Sequence, residues 1–150
     1  MSDANLKARW RAGAPLVGFF TRLKDSTAYE ILAKSATDFI IVDAEHGSFD
    51  RPRLADCLFA GRARGLPMLV RVPDEREAAI QHAIGAGADG IIVPHASSAE
   101  VIAGIVEFVR ICGLERAYAG ATRISSYRRE TWPGFQRARG WQGPCDRPDR

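Results

Sequence analysis

The sequence predicts an α/β fold with parallel strands, because short apolar runs alternate with segments that carry helix-start signals. Four such strand–helix units follow one another over about 110 residues, and this repetition favours right-handed crossovers between parallel strands. With 150 residues, of which 46% are hydrophobic and 26% charged, the chain has the size and composition of one globular domain.

The predicted strands are short and nearly continuous in apolar side chains, as expected for strands covered on both faces. They span residues 15–20, 38–43, 67–72 and 88–93. The pair Gly85-x-Gly87 precedes a strand instead of following one, so it indicates a helix-to-strand turn and not a phosphate-binding loop. Two architectures fit this pattern: an open doubly wound sheet, or half of an eight-stranded barrel.

Capping residues and apolar spacing place the first helix. Asp25 or Ser26 can begin it, and it extends to about Lys34. Its spacing predicts that Ile31 and Leu32 face inward.

The three later helices also have start signals. Asp50 can begin the second, which Gly65 ends. Segments 74–77 and 97–100 resemble capping boxes, Asp-x-x-Glu and Ser-x-x-Glu, and begin the third and fourth. The expected apolar stripes are Leu54, Cys57 and Leu58, then Ile80, Ala83 and Ile84, then Val101, Ile102, Ile105, Val106 and Val109.

Composition argues against several functional classes. No apolar run reaches the roughly 18 residues of a membrane span, and the N-terminus lacks the apolar centre of a signal peptide. The net charge is only +3, and the basic residues form no block before residue 123. The three cysteines are odd in number and lack zinc spacing. We therefore expect a cytoplasmic protein without nucleic-acid or membrane partners.

Ionisable side chains are concentrated where the second predicted strand ends. Asp43, Glu45 and His46 follow the apolar run 39–42. Alternation along a strand puts Asp43 and Glu45 on one face, with His46 at the turn. Because α/β folds keep their chemistry at the carboxyl ends of strands, this segment is the predicted active site. The alternative is that His46 is a structural turn histidine.

Three segments in order resemble the HpcH/HpaI type of class II hydroxy-oxo-acid aldolase: Ile41–His46, Leu69–Pro73 and Gly87–Pro94. The similarity extends from about residue 13 to residue 128. It implies that the chain is the N-terminal half of a (β/α)8 barrel that joins or splits pyruvate and an aldehyde. It also implies a divalent metal (magnesium, manganese or cobalt) that binds the pyruvate enolate, and homo-oligomers, commonly hexamers, in complete family members.

The resemblance also implies residue roles. His46 matches a histidine that assists proton transfer, and Arg71 matches an arginine that steadies the pyruvate carboxylate and enolate oxygens. Asp43 and Glu45 match acids beside that histidine. The alternatives are that Arg71 only pairs with these acids and that Asp43 only orients His46. His95, after the fourth strand, is interpreted as a loop histidine, with pocket lining as the alternative.

Two departures from the family pattern concern the chemistry. Gly85 stands where family members often carry an aspartate, so any help that this acid gives to the histidine is lost or supplied by another group. The resemblance also places the metal ligands, a glutamate and an aspartate, at the ends of the fifth and sixth strands. Neither strand is found in this sequence, so no metal ligand is assigned.

The sequence changes character after about residue 113, where strand periodicity is lost. We divide the chain into residues 1–128, the barrel half, and an irregular tail, 129–150. Read one base later, codons from Trp141 onward permit an aliphatic strand ending in Gln-x-Glu, so our hypothesis is that a frameshift produced the tail. Arg123 is a further candidate to reach the active site or a neighbouring subunit.

The expected function is metal-dependent aldol cleavage or condensation of 4-hydroxy-2-oxo acids, giving pyruvate and an aldehyde, impaired in this half-length chain. One alternative is a citrate-lyase-like carbon–carbon lyase that acts on acyl thioesters. The other is a non-catalytic fragment that associates with a complete homologue.

Overall fold

Four parallel strands, each followed by a helix, form the centre of the computed structural model, which describes residues 3–118, with side chains from 6 to 110. The strands are β1 (Gly18–Thr21), β2 (Phe39–Asp43), β3 (Met68–Arg71) and β4 (Gly90–Ile92). The sheet order is β1-β2-β3-β4. Each strand is added on the same side of the one before it, as in a barrel, whereas a doubly wound sheet reverses direction. Arg123 and the tail 129–150 lie outside the described residues.

The described helices number five, one more than the sequence predicts. They are α1 (Asp3–Arg11), α2 (Ser26–Leu32), α3 (Arg51–Ala63), α4 (Glu77–Ala86) and α5 (Ala99–Tyr118). The additional helix, α1, is too polar to give an apolar stripe. It is docked by an ion pair of 2.6 Å between Arg9 Nη1 and Asp38 Oδ1, just before β2. No helix within residues 3–118 has the length and apolarity needed to span a bilayer.

The core lies between one face of the sheet and the helices. Ile40, Val42, Met68 and Val70 on that face have no measurable exposure. The helices contribute the predicted stripes of α3 and α4, together with Tyr29 of α2: Leu54, Cys57, Leu58, Ile80, Ala83 and Ile84 are all buried. Burial of these apolar side chains on one side leaves the other face of the sheet to carry the polar cluster.

The opposite face, which we call the open face, carries apolar side chains and then charged ones. Phe20, Ile41 and Leu69 are register partners across β1, β2 and β3. Asp43 and Arg71 are partners at the carboxyl ends of β2 and β3. Phe20 is 52% exposed, so the apolar part of this face is incompletely covered within the described residues.

Two helix caps are confirmed and two are wrong in position. Asp25 accepts a hydrogen bond from Thr27 N at 2.9 Å, and Asp50 accepts one from Arg53 N at 2.8 Å. The box at 74–77 does not form, because Asp74 instead accepts hydrogen bonds from the backbone and guanidinium of Arg76.

The start of α5 is one residue later than the predicted box. The hydroxyl that accepts from Val101 N, at 3.3 Å, belongs to Ser98 and not to Ser97. The apolar stripe of α5 is also less buried than expected, since Ile102 and Val106 are 42% and 45% exposed.

The inward face predicted for α2 is wrong for Ile31, which is 66% exposed. Tyr29 is fully buried instead, and its hydroxyl donates to Leu23 O at 2.7 Å. Two residues along a helix correspond to a rotation of about 200°, so burial of Tyr29 turns Ile31 outward. Leu32, three residues after Tyr29, is half-buried as predicted.

Candidate active site

The four predicted site residues lie together at the carboxyl ends of adjacent strands. Asp43 ends β2 and Arg71 ends β3, on the same face and in register. Glu45 and His46 lie in the turn after β2. Parallel strands thus bring into contact side chains that are 28 residues apart in the sequence.

The Arg71 guanidinium binds Asp43 through two hydrogen bonds. Nε donates to Oδ1 at 3.0 Å and Nη2 donates to Oδ2 at 2.8 Å. The Asp43 side chain is only 6% exposed. These bonds, together with the one from His46 N, lower the pKa of Asp43 to about 2 although burial opposes the shift. The bond to Asp43 also raises the pKa of Arg71. Asp43 is therefore a fixed carboxylate at neutral pH.

His46 is held against the same guanidinium. Its backbone N–H donates to Asp43 Oδ1 at 3.2 Å, and its ring Nδ1 lies 2.8 Å from Arg71 Nη2. A guanidinium can only donate, so Nδ1 is the acceptor and the neutral ring carries its proton on Nε2. The His46 side chain is 58% exposed, so it is open to a small molecule at the strand ends.

Glu45 is a nearly buried carboxylate between three basic groups. Its side chain is 13% exposed. Oε1 lies 3.1 Å from His95 Nε2, while Oε2 lies 3.1 Å from Arg71 Nε and 3.7 Å from His46 Nδ1. Oε2 is buried and none of these contacts gives it a hydrogen bond of good geometry. Glu45 therefore retains an acceptor that the described residues do not satisfy.

Two contacting residues were not assigned to the site from the sequence. The Phe20 ring lies under Arg71, with Cζ 4.8 Å from the ring centroid, a cation–π contact. His95 reaches Glu45 from beyond β4, so the loop interpretation of this histidine misses its contact. Their places in the sequence could have indicated both contacts. Phe20 lies near the carboxyl end of β1 and His95 follows β4, and these strands end beside β2 and β3 in a parallel sheet.

A metal ion would find candidate ligands here. One ligand atom each from Asp43, Glu45 and His46 can be chosen so that all three lie within 4.8 Å of one another. However, Arg71 hydrogen-bonds both Asp43 oxygens and His46 Nδ1. Of the ligand atoms in this group, Glu45 Oε2 is the one that makes no hydrogen bond and could bind a metal ion. The three residues therefore do not make a complete metal site in this arrangement.

The chain matches known proteins over most of its described part. Residues 16–125 match the family model described as HpcH/HpaI aldolase/citrate lyase. A hydroxypyruvate/pyruvate aldolase from Paraburkholderia phytofirmans is 31% identical over 129 residues, which cover 81% of this chain and 50% of that protein. The chain spans about half the length of the curated relatives it matches.

Solved structures show similarity to the same family. An HpcH/HpaI aldolase/citrate lyase family protein from Burkholderia cenocepacia has a TM-score of 0.65 at 31% identity, over 69% of this chain and 42% of that one. The citrate synthase SbnG has a TM-score of 0.63 at 34% identity, over 67% of this chain and 41% of that one. Both likenesses therefore relate this chain to less than half of a longer protein.

Proposed function

Because this chain belongs to the HpcH/HpaI aldolase/citrate lyase family, we propose that its strand-end cluster is the oxo-acid-binding half of a carbon–carbon lyase site. The family match and the structural likeness confirm the predicted family and the predicted fold, the N-terminal half of a barrel. Relatives named as aldolases for hydroxypyruvate/pyruvate and 4-hydroxy-2-oxovalerate support a hydroxy-oxo acid as the substrate class.

The observation that carries the proposal is that one guanidinium, Arg71, contacts both Asp43 and the ring of His46. Cleavage of a 4-hydroxy-2-oxo acid breaks the C3–C4 bond and leaves its electron pair on a pyruvate enolate. Positive charge fixed beside that oxygen lowers the barrier. Asp43 holds Arg71 through Nε and Nη2, so the guanidinium is fixed in place and Nη1 is the nitrogen proposed to bind the substrate carboxylate.

His46 is the proposed proton-transfer group. The 4-hydroxyl must lose its proton as the aldehyde forms, and the enolate must gain a proton at C3 to give pyruvate. An imidazole can do this near neutral pH. In this arrangement Nδ1 accepts from Arg71, so Nε2 carries the ring proton. To take the hydroxyl proton, the ring would adopt the tautomer protonated at Nδ1, which gives up the bond from Arg71 and faces Asp43 Oδ2 at 3.5 Å and Glu45 Oε2 at 3.7 Å. Nε2 would then take the proton from the hydroxyl and give it to C3 of the enolate.

Charge balance supports a divalent cation in the complete site. With neutral histidines, Asp43, Glu45 and Arg71 sum to one negative charge, which repels an oxo-acid carboxylate. A divalent metal, which we propose as magnesium, manganese or cobalt, would supply the missing positive charge to the enolate oxygen. Glu45 Oε2, buried without a hydrogen bond, is the described atom that would face the metal or its water. The ligand set itself is not found within residues 6–110.

The test is binding of pyruvate to the 150-residue chain and to its Arg71→Lys variant, measured by calorimetry. Lysine keeps the charge but has a single nitrogen, which cannot bind Asp43 on one side and pyruvate on another as a guanidinium can, so we expect affinity to fall roughly tenfold or more. Arg64→Lys is the matched control, because Arg64 makes an exposed ion pair with Glu30. Equal affinity in both variants would remove Arg71 from the site.

A turnover assay completes this test. With magnesium or manganese, a 4-hydroxy-2-oxo acid and coupled pyruvate detection, we expect little turnover from this chain, because its relatives are about twice as long. Robust turnover would contradict that expectation.

A citrate-lyase-like reaction is the second candidate, favoured by the family description and by the likeness to SbnG. The two reactions share an enolate of a small acid and differ in the electrophile. A complete barrel that contains these residues, assayed with hydroxy-oxo acids and with acyl thioesters, separates them by which substrate is cleaved.

A further inference from the structure

His95 occupies a backbone conformation that its residue type rarely adopts. Its φ is +53°, and it is the only residue other than glycine with positive φ among the described residues. This left-handed conformation is strained for a residue other than glycine, although histidine is among the types found there more often. His95 follows the Val93–Pro94 pair at the carboxyl end of β4, beside the strand that ends at Arg71.

The contact that this conformation permits adds little to stability. The His95 side chain is 88% exposed, and its Nε2 lies 3.1 Å from Glu45 Oε1. An ion pair or hydrogen bond with so exposed a partner adds little to stability. The contact therefore does not clearly outweigh the backbone strain, and folding alone does not explain the arrangement.

What the contact does is restrain Glu45. With Oε1 held by His95, only Oε2 lies near the guanidinium, and it makes no hydrogen bond of good geometry there. Released from His95, the carboxylate could turn toward Nη1 of Arg71, since Asp43 and His46 already occupy Nε and Nη2. Arg71 would then bind both Asp43 and Glu45, and fewer of its N–H donors would be left for the carboxylate of a substrate.

We propose that His95 is a positioning residue, which fixes Glu45 with only one oxygen toward Arg71 and so leaves Nη1 of the guanidinium to the carboxylate of an oxo acid. This inference rests on the proposed function for its substrate, but its geometric part concerns residues of this chain alone. His95 touches no reacting atom in this arrangement, and its effect passes through Glu45 to Arg71.

The experiment uses the 150-residue chain and three variants. His95→Gly removes the ring and relieves the positive φ, so thermal stability should be unchanged or raised. His95→Asn keeps a donor and tolerates the same backbone conformation. Ser97→Ala changes a neighbouring exposed side chain and is the control.

The first readout is the Nε–Hε NMR signal of Arg71, which needs no substrate. We expect this signal to move in His95→Gly, to return toward its original position in His95→Asn, and to stay in place in Ser97→Ala. The second readout is pyruvate affinity, which should weaken at least about threefold in His95→Gly.

Two results would overturn the proposal. One is an Arg71 signal in His95→Gly that matches Ser97→Ala. The other is a fall in the stability of His95→Gly, which would indicate a structural role. If the unchanged chain does not bind pyruvate, the proposed function fails, while the Arg71 signal still decides the role of His95.

Discussion

Asp43 is an acid with almost no exposure, whose two oxygens both accept hydrogen bonds from Arg71. Hydrogen bonds from Arg71 and from His46 N lower its pKa from 3.8 to about 2. A lowered pKa adds stability that is fully present above the unfolded value, near pH 4, and is lost as the pH falls toward 2. The shift corresponds to about 2 kcal/mol.

This pair gives a pH-dependent prediction for Asp43→Asn. We expect the variant to be less stable than the unchanged chain at pH 6, because Arg71 loses the carboxylate that binds it through two hydrogen bonds and keeps only the ion pair with Glu45. The difference in unfolding free energy should shrink by about 2 kcal/mol on going from pH 6 to pH 2, as measured by urea denaturation. Asp56→Asn removes an exposed carboxylate on α3 and serves as the control. A difference that does not change with pH would contradict the assignment.

Single residues also show what the sequence can predict about the site. Asp43, Glu45, His46 and Arg71 could be grouped because parallel strands end at one edge, whatever their separation in the chain. The position of His95 beside the site could be predicted from the strand that precedes it, but its contact with Glu45 could not, since that depends on a left-handed backbone conformation.

The packing of α3 on β3 depends on one close approach at the level of elements. A Cβ added at Gly61 would overlap the sulfur of Met68, which is fully buried and has little room to move. Gly104 of α5 is the opposite case, because a Cβ there meets no atom within 4 Å. Both glycines lie within helices, so the same substitution at the two positions separates the effect of helix propensity from the effect of packing.

We therefore predict opposite effects for two identical substitutions. Gly104→Ala should stabilise the chain by about 0.5–1 kcal/mol, the usual helix preference for alanine. Gly61→Ala gains the same preference but overpacks the core, so it should be destabilising by about 1 kcal/mol net. Urea denaturation of the two variants measures this, and the double variant with Met68→Val should recover stability. Equal stabilisation by both substitutions would show that the Met68 side chain moves to make room for the added methyl group.

The existence and order of the four strands and of the helices α2 to α5 were readable from the sequence, while α1 was missed and the ends and faces of several helices were misplaced. Asp25 and Asp50 cap as predicted because each carboxylate accepts from a backbone N–H of the first turn, with no neighbouring side chain among the described residues that binds it instead. Asp74 fails because the nearby guanidinium of Arg76 competes for its oxygens. Ile31 was misplaced because α2 is only seven residues long, too short for its spacing to define one face.

The order of the strands decides between the two architectures that the sequence left open. Alternating strands and helices fit both, because composition does not say on which side each new strand is added. The order β1-β2-β3-β4 selects the barrel type, and it leaves β1 and β4 each paired on one side only within the described sheet. Unpaired edges and an incompletely covered face favour association with another chain.

We accordingly expect the purified 150-residue chain to self-associate through the open face. Light scattering over a range of concentrations should give a mass above the 16.4 kDa of one chain. Phe20→Ser should reduce this association, because the ring lies on the open face and is 52% exposed. Phe59→Ser is the matched control, since that ring is 61% exposed but belongs to α3. If Phe59→Ser dissociates the assembly and Phe20→Ser does not, the contact lies on the helical side and not on the open face.

Adding a complete homologue tests the alternative that this chain is a non-catalytic fragment which associates with one. A new complex that Phe20→Ser prevents would show that the open face binds part of another barrel.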